Sequence, residues 1–313
     1  DNEEILLVKS VGEKIRQRRT ELNLSQESLS FDADIPRNQV GRIERGEIST
    51  SITTLSKIGW PIMNRIEDYN KLKIGIVTWI KDYVEKNEIK SLVIGVSGGI
   101  DSAVVSTLCA ETGLPSYVVA MPLHSKIENS TLSIDHCKFL QERYANIRYN
   151  RVELSGVYDQ FMHSLTWWTG DKFNGNELSN ANTKSRLRMV TLYQIAGSVG
   201  GIVVGTGNKV EDYGVGFYTK YGDGGVDIAP IADLYKTEVW ELGKHLNLDK
   251  RIIDAKPTDG LWNDGRTDED QIGASYEDLE HAMEHGNGPA VRILHDYNCK
   301  NKHKMNPIPT FKL

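Results

Sequence analysis

Cysteine is scarce in this chain. Its three residues, Cys109, Cys137 and Cys299, are odd in number, widely spaced and free of any C-x-x-C pair. That pattern excludes a disulfide framework and predicts reduced, mostly buried thiols in a cytoplasmic protein. No apolar run approaches the ~20 residues that a membrane helix needs. The acidic start, Asp1, Asn2, Glu3 and Glu4, is unlike the basic start of a secretory leader, so no membrane partner is expected. Excess basic charge is missing too: 37 Lys and Arg against 43 Asp and Glu give a formal net charge of −6. With no global positive field, any nucleic-acid affinity must come from a local patch. The chain also lacks the Gly-x-x-x-x-Gly-Lys-Ser/Thr loop of kinases and GTPases. Its 39% apolar residues suffice for a proper core, and 313 residues allow one large or two modest domains.

The most informative stretch present is residues 92–103. An apolar strand over 92–96 runs into Ser97, Gly98 and Gly99 and then into a helix opened by Asp101 and Ser102. Two glycines let the backbone turn tightly against an anion, and the free N–H groups and positive dipole end of the following helix supply donors. The order Ser-Gly-Gly-x-Asp-Ser after a strand resembles the loop of the ATP pyrophosphatases. This resemblance implies that ATP is split between its α and β phosphates, with magnesium held by Asp101.

The first sixty residues read as three helices. Val11, Ile15 and Leu22 share one face, and residues 23–25 interrupt the pattern. Ser25 is an N-cap with Glu27 in the first turn of a second helix over residues 26–33. A third short helix runs from Arg37 and ends at Gly46. Two short helices joined by a tight turn have the form of a helix-turn-helix. Leu24, Ser25, Gln26, Glu27, Ser28 and Leu29, with Arg42, Ile43, Glu44, Arg45 and Gly46, resemble the phage-repressor-like (Cro/C1) DNA-binding domain. Arg37, Asn38, Gln39 and Arg42 are then the candidate DNA contacts, since Arg reads guanine edges and Asn and Gln read adenine. Nine basic and ten acidic residues in this segment confine any footprint to one face. Gly59, Trp60 and Pro61 break the pattern before the family's usual next helix is complete. The expected domains are therefore residues 1–60 and 61–313.

Beyond Tyr69 a long amphipathic helix carries Leu72, Ile76, Trp79, Ile80 and Tyr83. Strands are expected at 92–96, 116–122, 147–152 and 201–206, and a helix at 129–144. This alternation predicts an α/β fold, a doubly wound parallel sheet with ligands at the carboxyl ends of its strands.

Four further segments, 182–189, 205–212, 219–230 and 234–239, taken with the loop, closely resemble the NAD synthetase family, and 256–262, 267–270 and 303–307 extend the match. The resemblance covers residues ~64–313 and implies an N-type ATP pyrophosphatase fold preceded by a small all-α domain. It implies the ligation of deamido-NAD with ammonia at the expense of ATP, through an acyl-adenylate, in a homodimer. ATP would lie on Gly95, Val96, Ser97, Gly98, Gly99, Ile100, Asp101 and Ser102, with Thr206, Lys236 and Thr258. Deamido-NAD would meet Asn182, Arg186, Lys220, Asp227, His303 and Lys304. Asp101 and Glu211 would hold Mg²⁺, as hard oxygen ligands suit it. Asp223 would accept a proton near the reacting carbon, and Lys236 would counter phosphate charge. Residues 258–272 read as a mobile lid, and Trp167 and Trp168 as packing.

Taken singly, Arg186 and Arg188 fit solvated surface, Asp223 and Asp227 turn formation, and His303 an exposed imidazole. As one ordered set they fit the synthetase. Glutamine-dependent relatives carry an amidase domain of roughly 250 residues, for which the sixty residues ahead of the body leave no room. A tRNA-thiolating enzyme would need paired cysteines near the loop. The rival from another class is a transcription regulator that senses ATP or NAD precursors through a synthetase-like body; it would predict damaged catalytic positions.

Overall fold

The computed structural model describes residues 2–21, 24–33, 35–48, 54, 65–124, 127–169, 176–258 and 266–312. Two compact units emerge, Asp1–Glu67 and Asp68–Leu313.

The first unit contains α1 (Asn2–Glu21), α2 (Gln26–Asp32) and α3 (Arg37–Glu44). Ser25 accepts from the Ser28 N–H at 2.9 Å, the cap its position predicts. Ile15, Leu29, Ala33, Val40 and Ile43 form the core, with Val11, Leu24, Ile35 and Ile48 packed against it. A Cβ at Gly12 would collide with the Ile43 carbonyl, so glycine there is what lets α1 lie close to α3. The chain leaves α3 through Gly46 at φ 65°, as a glycine stop requires. Leu22 and the 59–61 break lie outside the described residues.

In the second unit the Asp68 carboxylate caps α4 (Tyr69–Lys86), and Ile76, Ile80 and Val84 form its buried stripe. Four parallel strands follow: β1 (Ser91–Val96), β2 (Ser116–Ala120), β3 (Ile147–Arg151) and β4 (Gly201–Val203), in the order β3-β2-β1-β4. The alternation of strands and helices makes parallel pairing the natural outcome, and β1, buried along nearly its whole length, is the expected apolar run of a central strand. Side chains alternate between faces. Val93, Val119 and Val203 meet α8 (Glu177–Val199) on one face. Val96, Val118 and Ala120 meet α5 (Ile100–Glu111) and α6 (Ile127–Arg143) on the other. The fold is the doubly wound α/β architecture.

Two strand expectations are shortened. Regular pairing of β4 stops at Val203, and Val204 makes a single parallel bridge to Ile228, because Gly205 already turns to donate to the Ile228 carbonyl at 2.7 Å. Likewise β2 ends at Ala120 rather than at Pro122, which has no N–H to give to a ladder. The outer strand β3 exposes Arg148, Asn150 and Arg151, charge and polarity that protect a sheet edge.

A second core joins the turn 210–215 to α9 (Lys236–His245), α11 (Asp268–Ile272), α12 (Tyr276–His285) and α13 (Val291–Met305), with the short α10 (Lys250–Ile253) between. Residues 267–272, expected within a lid, instead include α11, capped by Thr267 and anchored by buried Ile272; residues 259–265 lie outside the described set. Trp167 and Trp168 fall in α7 (Ser155–Thr169), and their side chains lie outside what is described. Cys109 and Cys137 are buried, and burial pushes the Cys137 thiol up to about 12; Cys299 is exposed. No described helix is long and apolar enough to cross a membrane.

Candidate active site

At the carboxyl ends of β1 and β4 opens a cavity of about 1210 Å³. Its floor is the glycine loop. At Gly95 a Cβ would press on the side-chain ends of Met121 and Leu192. Gly98 takes φ 93°, and Gly99 is the N-cap of α5, so the helix begins one residue before Asp101. The loop is knit by its own serines: the Ser97 N–H donates to Ser102 Oγ at 3.1 Å, the Gly99 N–H to Ser97 Oγ at 3.2 Å, and Ser102 Oγ to the Gly99 carbonyl at 3.0 Å. Val96 accepts from Ser133 Oγ at 2.7 Å. The turn is therefore cross-linked by its own hydroxyls and backbone.

On the wall stands a charged cluster drawn from three elements. Lys236 Nζ donates to Asp101 Oδ2 at 2.6 Å and to Glu211 Oε1 at 3.0 Å. Asn208 Nδ2 donates to Asp101 Oδ1 at 3.1 Å, while its Oδ1 accepts the Val210 and Glu211 N–H groups, each at 3.1 Å. Glu211 lies on a π-helical turn, Val210–Val215, whose wider winding sets it and Asp212 over the loop. Asn298, Asn301 and Lys304, on one face of α13, donate to the carbonyls of Tyr213, Gly214, Val215 and Gly216 that this turn leaves unpaired.

Electrostatics follow from burial. Burial works against the Lys236 charge, but Asp101 and Glu211 more than offset it and keep the ammonium protonated. Burial likewise opposes ionisation of Glu211, and Lys236 with the Tyr276 hydroxyl overcomes it, holding that carboxyl below its ordinary value. Asp101 is pushed up by burial, with Lys236 opposing. Among the described residues no cation pairs with Asp212: burial, then Glu211, Asp223 and Asp101, push its carboxyl up to about 8. A side chain at Gly207 would fall on the Asp212 carboxylate, which reserves that position for glycine.

Opposite, Asp223 Oδ1 accepts from Ser185 Oγ at 2.7 Å and from the Thr219 N–H at 3.0 Å, and its own N–H donates to Ser185 Oγ at 2.9 Å. Burial pushes this carboxyl up, with those donors opposing. Asn182 Oδ1 accepts from Thr219 Oγ1 at 2.7 Å, and Arg186 Nε donates to the Lys220 carbonyl at 3.2 Å.

The structure gathers around one cavity Gly95, Val96, Ser97, Gly98, Gly99, Ile100, Asp101, Ser102, Asn182, Arg186, Thr206, Glu211, Lys220, Asp223, Lys236, Thr258, His303 and Lys304. Asp227 stands apart from that lining: its carboxylate accepts from the Val203 N–H at 2.7 Å and from Tyr193 OH at 3.0 Å, fastening the end of β4. Lys304 spends its ammonium on the Gly216 and Tyr218 carbonyls, at 2.6 and 2.8 Å. Tyr276, Asn208, Ser185 and Asp212 were not singled out by the sequence. Asn208 and Asp212 sit inside a recognised segment, but Tyr276 lies 65 residues from Glu211 and reads as an ordinary core aromatic.

In the first unit Arg37, Asn38 and Arg42 are exposed on α3, and Gln39 is half-buried. Acids face them: Glu27 lies 3.9 Å from Arg37, and Glu47 lies 3.9 Å from Arg42.

With this geometry in hand, comparison with known proteins is direct. Residues 73–305 match the NAD synthase family model, and residues 15–58 match a helix-turn-helix model. The NH3-dependent NAD(+) synthetase of Methanosarcina acetivorans is 37% identical over 232 residues, covering 73% of this chain and 88% of that protein. That of Carboxydothermus hydrogenoformans is also 37% identical, covering 73% of this chain and 92% of the relative. Among solved structures, NMN synthetase from Francisella tularensis superposes with a TM-score of 0.71 at 31% identity, over 79% of this chain and all of that one. NH3-dependent NAD synthetase from Campylobacter jejuni superposes at 0.62 and 27%, with the same coverage. The chain, a helix-turn-helix segment followed by a doubly wound catalytic body, belongs to the NAD synthase family.

Proposed function

We propose that the chain makes NAD from deamido-NAD, ATP and free ammonia, releasing AMP and pyrophosphate. The observation that carries this reading is one cavity that joins the glycine loop, the Asp101, Glu211 and Lys236 cluster, and Asp223. Its volume of about 1210 Å³ suits two nucleotides side by side.

In the first step a nicotinate carboxylate oxygen attacks the α-phosphorus of ATP, and the bond to the β-phosphate oxygen breaks with pyrophosphate departing. The loop N–H groups and the start of α5 would hold the leaving phosphates. Asp101 and Glu211 suit a magnesium ion: both are hard oxygen ligands that meet the same ammonium beside the glycine loop, and Mg²⁺ commonly takes one or two carboxylates and completes its shell with water and phosphate. When bound it would neutralise charge gathering on the phosphate oxygens. Lys236 already lies between those carboxylates and so can share its charge with the phosphates.

In the second step ammonia attacks the acyl carbon, the bond to AMP breaks, and one proton must leave nitrogen. Asp223 would accept it. Ser185 and Thr219 fix one of its oxygens, and the raised affinity of the carboxyl for a proton suits a base.

Incubation with deamido-NAD, Mg-ATP and ammonium should yield NAD, AMP and pyrophosphate in equal amounts, with glutamine a poor substitute. Production of ADP and phosphate, or efficient use of glutamine, overturns this. The Francisella NMN synthetase motivates a second reading, in which the nicotinate mononucleotide is the acceptor. Offering both acceptors and comparing kcat/KM decides between them.

For the first unit we propose DNA contact through Arg37, Asn38, Gln39 and Arg42, presented by a homodimer to two half-sites. Its support is the helix-turn-helix match and the outward polar residues of α3. Arg42→Ala should weaken binding about tenfold without altering synthesis. Failure of the intact protein to prefer any sequence over random DNA at moderate salt would overturn it. We further propose residues 61–313 as the self-sufficient synthetase.

A further inference from the structure

Glu211 is held by more than the lysine. Tyr276, the first residue of α12, is fully buried, and its hydroxyl donates to Glu211 Oε1 at 2.7 Å. That is the same oxygen that Lys236 reaches at 3.0 Å, so both donors load one side of the carboxylate. The ring is fixed independently of the hydroxyl: Trp240 meets it edge-on at 5.9 Å between centroids, and Lys236 Nζ lies 5.0 Å from its centre. The Tyr276 N–H donates to Glu269 Oε1 at 2.9 Å, which ties the residue to α11. A buried phenol anchored by two helices therefore restrains the direction in which the Glu211 carboxylate points.

We propose that Tyr276 is a positioning residue for the cation site: by donating to Glu211 Oε1 it fixes which oxygen of that carboxylate meets a divalent metal. This rests on the reading that Asp101 and Glu211 hold the metal. Hydrogen-bond partners of metal ligands orient them, and losing one typically weakens metal binding by about 10- to 100-fold. Tyr276→Phe removes the hydroxyl and keeps the ring, the burial and the Trp240 contact. Trp240→Phe loosens the packing and keeps the hydroxyl.

The test is Mn²⁺ binding to the full-length chain, followed by electron paramagnetic resonance in the presence of α,β-methylene-ATP, for wild type, Tyr276→Phe, Trp240→Phe and Glu211→Gln, with melting temperatures measured alongside. Tyr276→Phe should bind Mn²⁺ about 10- to 100-fold more weakly. Its rate of synthesis should return toward the wild-type kcat as Mg²⁺ is raised, and Trp240→Phe should stay within about twofold of wild type. Unchanged Mn²⁺ binding in Tyr276→Phe beside a clear loss in Glu211→Gln overturns the proposal and leaves the cation site standing. Equal weakening by Trp240→Phe also overturns it, since packing alone would then explain the effect. Normal Mn²⁺ binding in Glu211→Gln overturns the underlying site itself.

Discussion

Each unit of this molecule buries a charged cluster, and the two clusters are built differently. In the first unit Arg19 pairs with Glu44, whose side chain is 1% exposed; Gln26 also donates to Glu44, and the Arg19 guanidinium donates to the Leu24 carbonyl. One cation meets one anion, and every strong donor has an acceptor. In the second unit one ammonium, 2% exposed, meets two carboxylates that are 17% and 18% exposed and open onto the cavity. Closed and balanced, the first cluster fixes three helices relative to one another. Open and one positive charge short, the second invites a cation or a charged substrate. Buried charge alone therefore does not mark a site; imbalance together with access does.

The sharpest way to break this comparison is to remove charge from the open cluster. Glu211→Gln should lower pyrophosphate release about a thousandfold, the equivalent of about 4 kcal/mol, while the melting temperature changes little. A near-normal rate at ordinary magnesium would make the cluster structural like its counterpart. Glu44→Ala should do the reverse. Stranding Arg19 and Gln26 should cost the first unit about 3 kcal/mol, read as an earlier urea transition of that unit, with synthesis retained. Asp223→Asn should slow amide formation about a hundredfold and spare pyrophosphate release more, as rapid-quench measurement of the two half-reactions would reveal. Equal loss of both removes its role as base.

A smaller effect sharpens the contrast from a third buried group. His136, between α5 and α6, bonds to Ser106 Oγ at 2.9 Å, and burial lowers its pKa from 6.5 to about 4. Folding keeps it neutral, so its contribution is present above pH 6.5 and is lost as pH falls towards 4. The loss should be on the order of 3 kcal/mol. His136→Gln should flatten the fall in stability over that window; an unchanged slope would show that other groups control it.

Much of this was legible in the sequence. The loop from Ser97 to Ser102 announces itself because glycines and small hydroxyls in a fixed order have few other uses, and Asp101, Glu211 and Lys236 follow from recognised segments. The parallel sheet follows from apolar runs alternating with helices. What stayed hidden depends on distance along the chain or on rare geometry. Tyr276 looks like any core aromatic until the fold brings it to Glu211, and Ser185, though within a recognised segment, shows its role only when the fold brings it to Asp223. The shortness of β4 reflects hydrogen bonds made by Gly205 with Ile228, which leave no trace in hydrophobic period. Asp227 reads as a ligand contact in the linear motif, yet its carboxylate is occupied by Tyr193 and Val203. The lid expected over 258–272 gives way to a capped helix in its last residues, signalled by Thr267 and Asp270, which form a capping box.

The π-helical turn has a consequence for how this protein can change. An ordinary helix advances by about 100° per residue, so removing one residue from 210–215 would swing everything on one side of the cut by roughly that angle. Glu211 would leave the cluster, or the carbonyls held by Asn298, Asn301 and Lys304 would lose their partners. Substitutions within the segment can be absorbed one at a time, but its residue count cannot drift. Insertions and deletions in descendants of this chain should accumulate in the surrounding loops and spare this six-residue span.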